Sequence, residues 1–216
     1  MGSPLALTLV YTKLFLTTPV PGTTASLTQC VSSCYISPSC ASFFYNYDDS
    51  VCYHSYFLYS LDKYEDMLST SAADIKYFEW TPASCDASHG WRYHKATQLC
   101  FKYHTHGQVF SDAEETCQSE NSTLLRVDSP DRQHFIHHFA NIHGKHIMTG
   151  GRKVNETWYW NNGTPLGYEA WEDDEPKDGK DCMLVDKDEE SWKSEKCDSS
   201  EDYMCEKAIS VGGECS

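Results

Sequence analysis

The stretch from Trp158 to Cys182, WYWNNGTPLGYEAWEDDEPKDGKDC, limits what this chain can be more than any other. It sets three tryptophans, a Gly163-x-Pro165 turn, a dense acidic run, a Glu175-Pro176 step and a closing cysteine into one segment, a combination too specific for a loop of random composition. The cysteines add a second constraint. Eleven of them, with no C-x2-C zinc or redox pair, read as a disulfide framework laid down in an oxidising compartment. An odd count leaves one thiol over.

The N-terminal part reads as a small α+β unit. Residues 5 to 16, LALTLVYTKLFL, are dense in Leu, Val, Tyr and Phe and end at the Pro19-Val20-Pro21-Gly22 breaker, which predicts a strand and a turn. Cys30 and Cys34 lie four apart, so a helix places both thiols on one face. Cys40 then leads into an aromatic strand from Ser42 to Tyr47, and Asp48-Asp49-Ser50 turns the chain into Cys52. This C-x3-C, C, F-x-Y, C arrangement resembles a PAN or apple module, a helix cradled by a sheet. The resemblance implies pairing of Cys30 with Cys52 and of Cys34 with Cys40. A binding role and a cysteine-rich spacer are both open for this module. Thr81-Pro82-Ala83-Ser84 is a short polar break. The expected organisation is therefore a PAN-like domain over residues 5–80, a linker over 81–84, a second α+β domain over 85–208 and a tail over 209–216.

From Cys85 onward, Gly90-Trp91 and Leu99 to Tyr103 read as an opening hairpin. Ser111-Asp112-Ala113-Glu114 has the S-x-x-E spacing of a capping box, which predicts a helix with Ala113 and Cys117 on one face. Leu124 to Val127 reads as a strand. Ser129-Pro130-Asp131 predicts a second helix start, followed by Phe135, Ile136, Phe139 and Ile142 at core spacing. These elements, the Trp158-x-Trp160 stretch, Glu175-Pro176 and the terminal Tyr203-Met204-Cys205-Glu206 occur in the order of the long form of the C-type lectin-like domain, which this part of the chain resembles. Met148-Thr149-Gly150-Gly151 stands where that family carries a W-I-G-L strand. The resemblance implies the disulfides Cys85–Cys100, Cys117–Cys205 and Cys182–Cys197.

Sugar-binding members of that family hold one Ca²⁺ with five side chains and share it with two sugar hydroxyls. Carried over position by position, Glu175 is the one ligand kept, while Lys177, Lys180, Lys193 and Ser194 occupy the other four positions. Calcium takes six to eight oxygens. A lysine facing Ca²⁺ at about 4 Å and an effective dielectric of about 20 costs on the order of 8 kcal/mol before side chains move away. The family's usual sugar site is therefore expected to be lost. Two readings of the lysines remain: an anion pocket made by Lys177, Lys180 and Lys193, or a salt-bridged loop in which Asp173, Asp174, Glu175 and Asp181 neutralise them. No cofactor is expected; Asp178 and Asp181 match two ligands of the family's auxiliary calcium site, which leaves Ca²⁺ there as the alternative, and His134 and His138, four apart, could share a metal.

His134, His137, His138, His143 and His146 cluster on and after the second helix, and their placement opposite its apolar face predicts solvent-facing side chains. No nucleophile elbow, phosphate loop or metalloprotease motif is present, and the chain is not read as an enzyme. A net charge of −15 argues against a nucleic-acid partner. No run of about 18 apolar residues offers a membrane span. Residues 1–10 are apolar but lack a basic n-region, so they do not read as a signal peptide. Secretion is inferred instead from the cysteines and from Asn-x-Ser/Thr sequons at Asn121, Asn155 and Asn162, with Asn121 and Asn155 the expected glycosylation sites. The expectation is a secreted recognition protein that binds glycans or glycoproteins without the usual calcium chemistry, or else a protein-interaction module that has lost sugar binding. Cys215 is the leftover thiol, read as an interchain disulfide in a homodimer or as a free or capped terminal cysteine.

Overall fold

The computed structural model describes residues 5–12, 22–59 and 74–209. The Pro19-to-Pro21 turn and Cys215 lie outside the described residues. Both compact units, one ending among these residues at Cys100 and the other spanning Phe101–Ala208, mix helices with antiparallel strands.

The first unit contains β1 (Leu5–Thr12), β2 (Thr23–Thr24), α1 (Leu27–Ile36), β3 (Ser42–Asn46), β4 (Val51–Ser55) and β5 (Ile75–Pro82). The five strands form one sheet in the order β1-β5-β3-β4-β2. Ser26 starts α1 because its hydroxyl accepts from Gln29 N–H while the Gln29 side chain accepts from Ser26 N–H. The Cys30 and Cys34 thiols share the buried face of α1, and Cys30 is bonded to Cys52 of β4. Facing residues on β3 and β5 stack as cross-strand aromatic pairs: Phe43 on Phe78 at 5.0 Å and Phe44 on Tyr77 at 4.7 Å. Such cross-strand pairs stabilise the sheet. Thr81 and Pro82, expected in a linker, are the end of β5, and Cys85 N–H closes the following turn on Pro82 C=O.

β6 (Arg92–His94) also belongs to this unit. His94 is fully buried. Its ring bonds Tyr56 C=O through Nε2 at 2.6 Å and Thr97 Oγ1 through Nδ1 at 2.8 Å, a pattern that satisfies the neutral imidazole. Burial lowers its pKa from 6.5 to about 4. The folded state therefore binds fewer protons than the unfolded state between those two values, so this contribution is complete above about pH 6.5 and is lost as pH falls toward 4. Thermal unfolding followed from pH 7 to pH 4 should show a falling midpoint across that window, and His94→Gln should flatten the slope.

The second unit contains most of β7 (Leu99–Gln108), then α2 (Phe110–Ser119), β8 (Thr123–Leu124), α3 (Pro130–His143), β9 (Ile147–Val154), β10 (Thr157–Trp160), β11 (Cys182–Val185), β12 (Trp192–Glu195) and β13 (Glu201–Lys207). Its sheet runs β12-β11-β9-β13-β7, with β13 parallel to β9, β10 added to β9 and β8 to β13. Residues 148–151, the counterpart of the family's W-I-G-L strand, lie buried in β9. Phe135, Ile136 and Phe139 of α3 are buried as their spacing predicts, whereas Ile142 is only half-buried.

The two helix starts behave differently. Ser129 caps α3, accepting from Arg132 N–H, with Pro130 in the first turn. Ser129→Ala should lower stability by about 1 kcal/mol in a denaturant titration. The capping box predicted at Ser111 does not form. The helix starts two residues earlier, at Phe110, with Val109 as an N-cap that offers no side-chain bond, and Ser111 Oγ points to Asp112 Oδ1 at 3.2 Å. Burial of Phe110 fixes that start, and tertiary packing overrides the local signal. Leu125 to Val127 also leave the strand that Leu124 ends, although Leu125 keeps backbone bonds to Met204 C=O and from Gly150 N–H.

Ten cysteines form five disulfides, Cys30–Cys52, Cys34–Cys40, Cys85–Cys100, Cys117–Cys205 and Cys182–Cys197, the same pairs that the two family frameworks imply. In the second unit Glu206, whose side chain is 7% exposed, holds Arg126 at 2.9 Å and Arg132 at 2.7 Å. Two guanidinium groups compensate that buried carboxylate.

Candidate ligand-binding site

The tryptophan stretch builds a loop around buried rings. Trp192 on β12 is fully buried and meets Trp160 edge-on at 5.9 Å, Tyr168 at 5.6 Å and Trp171 at 5.5 Å, while Trp158 packs on Trp171 at 4.7 Å. The backbone follows the rings: Trp192 N–H donates to Ala170 C=O, and Glu172 N–H donates back to Trp192 C=O. Asn162 closes the first turn by accepting from both Thr164 N–H and Thr164 Oγ1, with Gly163 at φ 82° supplying the left-handed residue the turn requires. The loop thus delivers Glu175 to Ser194 of β12.

Glu175 is the centre of the site, and its side chain is 3% exposed. Oε2 accepts from Ser194 N–H at 2.9 Å and from the Ser194 hydroxyl, and it also receives Lys177 N–H at 3.3 Å. Oε1 faces Lys177 Nζ at 3.3 Å. Burial pushes the Glu175 carboxyl up, but the Ser194 and Lys177 contacts outweigh it and leave it below the ordinary glutamate value. The Ser194 hydroxyl also accepts Lys177 N–H at 2.8 Å.

The other two lysines are paired as well. Lys180 Nζ lies 3.0 Å from Glu195 Oε2. Lys193 Nζ lies 2.6 Å from Asp186 Oδ2 and 3.3 Å from Glu172 Oε2, and the hydrogen bond to Asp186 raises its pKa above the usual lysine value. The structure therefore brings Glu175, Lys177 and Ser194 together, and sets Lys180 and Lys193 on neighbouring positions with carboxylates of their own. Of the neutralising acids expected from the sequence, only Glu175 has that role here. Glu172, Glu195 and Asp186 replace Asp173, Asp174 and Asp181: Lys180–Glu195 and Lys193–Glu172 join the loop to the β11–β12 hairpin, and Lys193–Asp186 forms within that hairpin.

The five positions offer oxygens only from Glu175 and Ser194, which are bonded to each other, and ammonium groups at the remaining three. That donor set does not fit a calcium ion. At the auxiliary positions Asp178 and Asp181 are exposed, and the ammonium of Lys153, 2.8 Å from Glu156, already stands in their field. Among the described residues, the clusters of three metal-ligating side chains are His54 beside Cys30 and Cys52 and His54 beside Cys34 and Cys40, and those cysteines are held in disulfides.

The histidines do not form a uniformly solvent-facing row. His134 is exposed, with Nδ1 3.2 Å from Glu190. His137 bonds Asp186 C=O through Nδ1 at 3.1 Å, and His138 is half-buried, its pKa lowered to about 4 by burial and then by His134 and His137. The α3 face carrying them packs partly against the segment after β11, which helical periodicity alone does not reveal.

A family model described as the lectin C-type domain matches residues 106–207, and one described as the PAN domain matches residues 10–81. Among curated proteins, the secretory phospholipase A2 receptor of Mus musculus is 24% identical over 131 residues, which are 58% of this chain and 9% of that protein. The versican core protein of Homo sapiens is 26% identical over 131 residues, 58% of this chain and 4% of that protein. The chain thus spans less than a tenth of the length of these relatives. Among solved structures, the carbohydrate-recognition domain of mouse scavenger receptor C-type lectin superposes with a TM-score of 0.51 at 23% identity, covering 57% of this chain and 98% of that one. Human lithostathine gives 0.51 at 19% identity, covering 57% and 92%. These likenesses show the fold.

Proposed function

We propose, for a chain that carries a C-type lectin domain behind an N-terminal PAN domain, a secreted and non-enzymatic recognition function: binding of glycans or glycoproteins without a Ca²⁺-bridged sugar site. The observation that carries this reading is the occupation of Glu175. The one family ligand kept in the sequence spends its oxygens on Ser194 and Lys177, so a metal would have to displace three hydrogen bonds and an ammonium to reach it. Five disulfides support an oxidising compartment, and no helix among the described residues is long and apolar enough to cross a membrane. The ion pairing of all three lysines favours the salt-bridged loop over the anion pocket, since each ammonium already has a carboxylate within 3.3 Å.

A second reading, a protein-interaction module without carbohydrate binding, is favoured by that same pairing and by a relative that is by name a receptor for a secreted phospholipase. A glycan array probed with calcium and again with chelator tests both. Equal binding in the two conditions is the expected result. Binding lost on chelation overturns the calcium-independent reading, and no sugar binding in either condition selects the protein-interaction module.

A further inference from the structure

The second unit holds a cavity of about 440 Å³ whose lining includes none of Glu175, Lys177 and Ser194. Phe110 and Glu114 of α2 form one wall, and Arg152 and Tyr159, a facing pair on β9 and β10, form another. The Arg152 guanidinium lies over the Phe110 ring, 5.7 Å from its centroid. Asn161 is part of the lining. Its Nδ2 donates to Leu124 C=O at 3.3 Å, which fixes the orientation of the amide, and its Oδ1 is buried with no hydrogen-bond donor. Gly150 packs against that amide so closely that a Cβ there would come within 2.8 Å of Asn161 Cγ, so the acceptor is held in place.

Asn155 lies on the lip of the same cavity. It is exposed, it begins the sequon Asn155-Glu156-Thr157, and with Glu156 it makes the two-residue turn joining β9 to β10, at φ 48° and 63°. We propose that the occupant of this cavity is the first N-acetylglucosamine of an N-glycan carried by Asn155 itself, folded back over the hairpin. The chemistry matches at each wall. A pyranose ring has an apolar face for Tyr159, and hydroxyl and acetamide N–H groups that can donate to the Glu114 carboxylate. It also has an acetamide carbonyl that can accept from Arg152. Because the sugar is neutral, the chain's net charge of −15 does not oppose it. Attachment makes binding intramolecular, so a contact too weak to hold a free sugar suffices. The inference rests on the secreted reading, since glycosylation requires the secretory route.

The test uses the full chain from a eukaryotic secretory host, with peptide mapping to score occupancy at Asn121, Asn155 and Asn162, and the glycans trimmed to a single N-acetylglucosamine. The expected result is occupancy at Asn155 and a melting temperature about 4 °C above that of Thr157→Ala, which removes the sequon. Tyr159→Ala should lower the melting temperature more in the glycosylated chain than in the Thr157→Ala background. In native protein whose glycans are left untrimmed, the Asn155 glycan should also resist amidase release more than the Asn121 glycan, and lose that resistance on unfolding. A Tyr159→Ala shift of equal size in both backgrounds overturns the proposal, as does release from Asn155 as fast as from Asn121. Glycan at Asn121 with none at Asn155 overturns it alone, whereas bare sequons throughout overturn it together with the secreted reading.

Discussion

Trp192→Ala should lower the stability of the lectin unit by about 3–5 kcal/mol, the range for deleting a fully buried large aromatic side chain. Three further rings, Trp160, Tyr168 and Trp171, lose the side chain they pack on, so the cavity opens at the root of the long loop. The indole N–H also donates to Gln133 Oε1 at 2.6 Å, and its loss leaves a buried amide oxygen on α3 unsatisfied. Trp192→Phe keeps most of the volume and drops the hydrogen bond, so it separates the two contributions and should cost less than half as much. Urea titration of both variants, with intrinsic fluorescence as the probe, gives the comparison. A loss below about 1 kcal/mol for the alanine variant would mean that the loop is not anchored on this ring.

Removing the Cys117–Cys205 bridge as a Cys117→Ala, Cys205→Ala pair should cost nearly as much, by a different route. The bridge closes a loop of sequence separation 88, and constraining the unfolded chain over that length contributes about 4.6 kcal/mol in the chain-entropy account. Cys182–Cys197 and Cys85–Cys100, each with separation 15, should contribute about 3 kcal/mol apiece by the same account. The ordering is the testable part. Denaturant midpoints of the three double variants should place the Cys117–Cys205 deletion lowest, and the reverse order would show that local packing around each bridge outweighs loop length.

What the sequence made legible follows from how far each signal reaches. The tryptophan stretch and the cysteine spacings carry family-specific order, and they pointed to both domains and to the disulfide pairs. Ser129-Pro130 is a local cap signal and it is used, whereas Ser111-x-x-Glu114 is an equally good local signal that burial of Phe110 overrides. The lysines at positions 177, 180 and 193 were visible as departures from a calcium site, but their partners were not. Lys180 reaches Glu195 and Lys193 reaches Asp186 only because β11 and β12 pair as a hairpin, which sequence proximity within the acidic run does not encode. The cavity beside Asn155 had no signal of its own. Its walls come from α2, the β9–β10 hairpin and the residues after it, and only the fold brings them together.

The position of β13 carries a consequence for synthesis. It lies in the middle of its sheet, parallel to β9 on one side and beside β7 on the other, yet it is the last strand of its unit to leave the ribosome. Until it arrives, β7 and β9 face an open gap where their shared neighbour belongs, and each presents unpaired backbone groups along it. The lectin unit therefore has to fold after its chain is complete, while the strands of the N-terminal sheet, all earlier in the chain, are free to pair during elongation. A nascent chain arrested before Glu201 should give a protease-resistant N-terminal fragment beside a digestible remainder, and release of the full chain should convert that remainder to the resistant state.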